Sequence, residues 1–146
     1  MIDIAPQDGF EAVVASDLEE VQIVHSQLVE LLKSNGYSDH DLFCIRLAVE
    51  EALVNAVTHG NQESSGKSIR FSCCVDSRCA KIEIEDEGCG FALDEVPDPT
   101  EDENLARPNG RGLMLMRSLM TTVRFNERGN QVALEKVRQP CPSSIR

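Results

Sequence analysis

The sequence predicts an α/β (α+β) sandwich: one sheet, mixed but mostly antiparallel, with helices on a single face. Three observations predict it. Segments with a strand period of two come in adjacent pairs rather than alternating one for one with helices. Two amphipathic helices, each with its own start and stop signals, follow one another directly. The chain of 146 residues is long enough for one hydrophobic core and too short for two.

Taken in order, Phe10–Ala15 reads as a short strand ending at Ser16, which with Glu19 three residues later has the form of a capping box. From Leu18 the apolar positions Val21, Val24, Leu28 and Leu31 recur at helical spacing and stop at Asn35-Gly36. Ser38 with Asp41 repeats the capping signature. Leu42, Ile45, Ala48, Val49, Ala52, Leu53 and Ala56 carry a second helix to about His59-Gly60, and its wider apolar face predicts deeper burial. Ile69, Phe71, Cys73 and Val75, then Ile82 and Ile84, alternate with polar residues, as in two antiparallel strands joined by a tight turn at Asp76-Ser77. Pro97, Pro99 and Pro108 mark the next stretch as a long loop. Gly112–Met120 reads as a third helix, and Thr122–Phe125 with Gln131–Val137 as a hairpin closed at Gly129-Asn130. The chain is thus a single domain, 1–146, with its core over about 10–137 and a frayed tail over 140–146.

Composition excludes several function classes. Asp and Glu number 25 against 14 Lys and Arg, for a formal net charge of -11, and no basic stripe is present to meet a phosphate backbone, so no nucleic-acid role is expected. The apolar runs Ala12–Ala15 and Leu113–Met116 are far below the ~20 residues that span a bilayer, and no signal-peptide pattern opens the chain. Six cysteines without a CxxC pair fit small buried or half-buried thiols of a cytoplasmic protein better than a disulfide framework or a zinc site. The acidic charge is unevenly placed: Glu83, Glu85, Asp86, Glu87, Asp94, Glu95, Asp98, Glu101, Asp102 and Glu103 fall in one segment that has no Lys or Arg.

Two kinds of segment carry chemistry. Glu51, Asn55 and His59 are four apart, so a carboxylate, an amide and an imidazole share one helix face. Such a row is ordinary on a solvated helix. It also suits a magnesium-nucleotide site, because an amide oxygen is a hard ligand and a nearby carboxylate can accept a proton. Asp86-Glu87-Gly88-Cys89-Gly90-Phe91 follows a strand, and Gly110-Arg111-Gly112-Leu113 opens a helix. Glycines there let a backbone approach a ligand, and a helix N-terminus offers free N–H groups to phosphate. Each alone also reads as a plain turn. Neither is a Rossmann fingerprint or a P-loop.

In combination, Glu51–Asn55–His59-Gly60-Asn61, Asp86-x-Gly88-x-Gly90-Phe91 and Gly110-x-Gly112-Leu113 have the order and spacing of the N, G1 and G2 boxes. In these the chain resembles the GHKL superfamily of histidine kinase-like ATPase domains, over about residues 10–137. The run Leu47-Ala48-Val49-Glu50-Glu51-Ala52-Leu53-Val54-Asn55-Ala56-Val57-Thr58-His59-Gly60-Asn61 is most similar to the anti-sigma-factor serine-protein kinases. The resemblance implies a two-layer sandwich with a lid loop, over about 92–109, covering ATP or ADP with Mg²⁺. It implies that Asn55 ligates the Mg²⁺, that Glu51 is the catalytic base toward a serine or threonine hydroxyl, and that Asp86 binds the adenine amino group. Gly88 and Gly90 would let the chain pass the base, Gly110, Gly112 and the helix opening at Leu113 would hold the phosphates, and His59 and Phe91 complete the nucleotide-binding set. Arg107 or Arg111 would meet the γ-phosphate, and the sequence does not separate the two. The implied partners are a sigma factor and a STAS-type anti-anti-sigma protein, with a homodimer left open. A nucleotide-dependent binding module without kinase activity stays an alternative. The catalytic half of a histidine kinase is a more distant one, since about nine residues precede the first strand.

Overall fold

The computed structural model describes residues 8–61, 66–88 and 108–138. Five strands form one sheet: β1 (Asp8–Ala15), β2 (Ser68–Val75), β3 (Cys79–Glu85), β4 (Thr122–Phe125) and β5 (Gln131–Val137), in the spatial order β1-β2-β3-β5-β4. Every pairing is antiparallel, which resolves the expectation of a mixed sheet. Three α-helices, α1 (Leu18–Ser34), α2 (Asp39–Asn55) and α3 (Pro108–Leu119), and a π-helical turn over Ala56–Gly60 complete the described elements. None is long and apolar enough to cross a membrane.

Strand alternation decides which face of the sheet is covered. Ile69, Phe71, Cys73 and Val75 of β2 are buried, as are Ala80, Ile82 and Ile84 of β3 and Val132 and Leu134 of β5. They meet Val21, Val24, Leu28 and Leu32 of α1 and Ile45, Ala48, Val49, Ala52 and Leu53 of α2 in one core. Phe10 stacks on Phe71 with ring centroids 5.4 Å apart. Lys136 is an exception on the buried face: its ammonium donates to the Leu119 carbonyl at 2.8 Å, capping the C-terminal end of α3.

Helix boundaries depart from the sequence reading in three places. Asp17, not Ser16, caps α1, accepting from the Glu19 N–H at 2.7 Å. Ser16 is still tied to the sheet, with its N–H on the Lys67 carbonyl at 3.0 Å, so the helix can start only one residue later. The cap at Ser38 stands, its hydroxyl accepting from the Asp41 N–H at 3.1 Å. The second helix stops being α-helical at Asn55 and continues as a π-turn over Ala56–Gly60, closed by the Asn61 N–H on the Ala56 carbonyl at 2.8 Å. The third helix begins at Pro108 rather than Gly112, so the expected lid of 92–109 overlaps it by two residues. Pro108 does not break this helix because at its first position no N–H is needed and the fixed φ is already helical. The rest of that lid and the tail of 140–146 lie outside the described residues.

One arginine ties the end of α1 to the sheet. Gly36, at φ 77°, closes a Schellman turn with the Tyr37 N–H on the Leu32 carbonyl at 3.2 Å. Arg138 donates to the carbonyls of Asn35 (3.1 Å), Gly36 and Ser77 (3.4 Å), and lies 5.0 Å over the Tyr37 ring. The Tyr37 hydroxyl in turn donates to the Asp76 carbonyl at 2.7 Å. Arg138→Ala is expected to lower stability by about 1.5–3 kcal/mol, the range for hydrogen bonds that involve a charged group, read as a lower urea midpoint. A midpoint equal to that of the parent chain would show the clasp to be energetically idle.

Candidate nucleotide site

The site is assembled from the end of α2, the segment after β3 and the start of α3. Glu51 and Asn55, one turn apart on α2, are both half-buried, and they face α3 at Gly112. A Cβ on Gly112 would overlap the Glu51 carboxylate and lie 3.0 Å from the Asn55 amide nitrogen. Gly112 is therefore where helix and carboxylate make contact, and any side chain there would displace Glu51. Gly112 stands in the second turn of α3, where a backbone N–H bonds within the helix. What it supplies is room, and the free N–H groups of this helix belong to the residues before it. Gly110 and Arg111 lie in the first turn, and Leu113 is buried.

The second cluster lies where the π-turn meets the end of β3. A Cβ on Gly60 would overlap the Asp86 carboxylate, and one on Gly88 would overlap the Gly60 carbonyl oxygen. The two glycines thus permit a close approach that sets Asp86 against the end of α2. Asp86 Oδ1 accepts from the Gly88 N–H at 2.7 Å. Burial holds the Asp86 carboxyl above its ordinary value, with Glu85 adding to the effect and the Gly88 N–H, Lys67 and Arg128 opposing it. His59 lies in the π-turn rather than in α2, and unlike the half-buried Glu51 and Asn55 it is exposed. Gly90, Phe91 and Arg107 lie outside the described residues.

Residues 14–136 fit the model of the histidine kinase-like ATPase domain. The chain belongs to that family. Among its relatives, the serine-protein kinase RsbW of Bacillus subtilis (strain 168) is 32% identical over 140 residues, covering 88% of this chain and 85% of that protein. The RsbW of Staphylococcus aureus (strain MSSA476) is 29% identical over 140 residues, covering 89% and 87%. The crystal structure of the RsbU and RsbW domains of Rv1364c from Mycobacterium tuberculosis superposes with a TM-score of 0.58 at 18% identity. It covers 92% of this chain, which spans 34% of that larger one, and the likeness is one of fold.

The Asp86 segment is held by residues that the motifs did not single out. Asn130 is buried and grips the Asp86 peptide from both sides: its carbonyl accepts from the Asp86 N–H and its Nδ2 donates to the Asp86 carbonyl, each at 2.9 Å. Asn126 holds Asn130 in turn, with Nδ2 on the Asn130 Oδ1 at 2.9 Å. In the sequence, Gly129-Asn130 reads as a hairpin turn, and nothing there connects it to a residue 44 positions earlier. A shallow cavity of about 410 Å³ also reaches Asp86, lined on one side by Val13 and Arg70. Val13 is 64% exposed and lies on the face of the sheet away from the helices, so this hollow opens on that face.

The donor set suits a metal that arrives with its nucleotide. Among the described residues no three His, Cys, Asp or Glu side chains converge on a common point. Asn55 offers one hard amide oxygen beside Glu51, which fits Mg²⁺ that takes its remaining ligands from phosphate and water.

Proposed function

We propose that this chain is an ATP-dependent serine/threonine-protein kinase and anti-sigma factor, which phosphorylates a STAS-type anti-anti-sigma partner and acts by partner switching in the cytoplasm. The observation that carries the reading is the pairing of two clusters at the C-terminal end of α2 and the π-turn that follows it. Glu51 and Asn55 stand against Gly112 of α3, and Asp86 stands against Gly60 of the π-turn and Gly88. The similarity to serine-protein kinases RsbW over 88% of the chain supports it.

In this reading Asp86 accepts the adenine amino group through its carboxylate, and the opening of α3 receives the phosphates. Asn55 would hold Mg²⁺, which when bound neutralises phosphate charge. Glu51 takes the proton from the partner's serine hydroxyl. The serine oxygen then forms its bond to the γ-phosphorus while the bond to the bridging oxygen breaks, so that ADP leaves with the electron pair. No covalent intermediate on the protein is needed. The acidity of the segment around Asp86 disfavours a bare anionic nucleotide, so binding depends strongly on the metal.

The test is incubation of the chain with γ-labelled Mg-ATP and the single-domain STAS-type protein encoded nearest to it. Label is expected on a serine or threonine of that protein. Binding of ATP without transfer to it would favour a regulatory module, and no binding at millimolar nucleotide would end the ATP reading altogether.

A further inference from the structure

Asn61 lies just beyond the residues assigned to the nucleotide, yet it is fully buried and joins three segments. Its N–H closes the π-turn on the Ala56 carbonyl. Its Oδ1 accepts from the Glu87 N–H at 2.7 Å, and its Nδ2 donates to the Ser68 carbonyl at 3.0 Å. One short side chain therefore links the end of α2 to the segment after β3 and to the start of β2. The position needs an acceptor and a donor on the same arm: aspartate lacks the donor, an aliphatic residue lacks both, and glutamine is one methylene too long.

We propose that Asn61 is a positioning residue for base selection, setting where the Asp86 carboxylate stands relative to Gly60. The inference rests on the ATP-site reading above. Asp86 Oδ1 is engaged by the Gly88 N–H, so Oδ2 is the oxygen left to receive an exocyclic amino group, and it is the atom nearest the Cβ position of Gly60. Its placement depends on how closely the Gly60 and Gly88 backbones approach. Asn61 is next to Gly60 and bonded to the residue next to Gly88, so it fixes that approach directly. Other fastenings hold the same segment without touching α2. Asn130 grips Asp86, and the Glu87 Oε2 accepts from the Ser68 N–H (2.6 Å) and hydroxyl (2.9 Å). Loss of Asn61 thus frees the helix end from the Asp86 segment while leaving that segment attached to the sheet.

The experiment compares the parent chain with Asn61→Ala and Asn61→Asp by calorimetry, using Mg-ATP, Mg-GTP and Mg-tripolyphosphate as probes. ATP affinity is expected to fall about tenfold toward that of GTP, the scale of one well-placed hydrogen bond to a charged group, while tripolyphosphate affinity stays unchanged. Glu87→Gln, which leaves both Asn61 bonds in place, keeps the ATP-to-GTP ratio. An unaltered ratio in the Asn61 variants overturns the proposal. A second measurement needs no variant: hydrogen exchange at the Glu87 amide slows with Mg-ATP and not with Mg-tripolyphosphate, and equal protection by both probes also overturns it. A parent chain that binds no probe, or ATP and GTP equally, defeats instead the underlying ATP-site reading.

Discussion

Glu51→Ala is expected to leave Mg-ATP binding intact and to slow phosphate transfer to the STAS-type partner by about 10²–10⁴-fold, the usual contribution of a positioned general base. The separation of binding from transfer follows from where the side chain sits. Its carboxylate meets α3 at Gly112, and Asp86 is clustered with the other pair of glycines, Gly60 and Gly88. Truncation therefore removes a proton acceptor without touching the group proposed to hold the base. The residue is half-buried, so its loss leaves a small polar gap rather than a hole in the hydrophobic core. Calorimetric ATP titration alongside single-turnover transfer separates the two effects, and a transfer rate equal to that of the parent would remove Glu51 from the base role.

The second large effect is expected at Asp86, where binding and stability move in opposite directions. Asp86→Asn puts an amide where an acceptor-only carboxylate stood, so ATP affinity should fall by about 100-fold, or about 2.7 kcal/mol. The thermal shift produced by Mg-ATP then disappears at concentrations that saturate the parent. The apo protein responds otherwise. Burial, the largest cause, holds the Asp86 carboxyl above its ordinary 3.8 in the folded state, so the native chain binds this proton more tightly than the unfolded chain. The contribution of this group to stability is fully present below its unfolded value and is lost as pH rises through the folded value. At neutral pH the ionised carboxylate therefore costs stability, and Asp86→Asn is expected to melt higher than the parent at pH 7 without nucleotide. The advantage should shrink as pH falls toward 4. A variant that melts lower than the parent at pH 7 and keeps its ATP shift would contradict both halves.

The strands were the most legible part of the chain. The hairpin strands Thr122–Phe125 and Gln131–Val137 coincide with β4 and β5, because a period of two next to a Gly-Asn turn leaves few alternatives, and Gly129 does adopt φ 82°. Helix ends were less legible. Ser16 and Asp17 are both good caps, and the choice fell to Asp17 because the Ser16 N–H belongs to the Lys67 carbonyl, a contact across 51 positions. Pro108 looked like a breaker and is a helix start. Glu51 and Asn55 stand one turn apart on α2, whereas His59 falls in a π-turn that the helical period does not announce, and it is exposed.

The sequence by itself determined the elements, the covered face of the sheet, the family and the residue types of the site, since all of these follow from periodicity, caps and ordered motifs that are local in the chain. Only the tertiary structure decided which of those residues meet. That Gly112 receives Glu51, that Gly60 meets Asp86 and Gly88, and that Asn61 and Asn130 hold the Asp86 segment from two sides are contacts between residues 26 to 61 positions apart. Their physical cause is the absence of a Cβ at three glycines and the pairing of buried amide groups. Both act through space, between segments that only the folded core brings within reach.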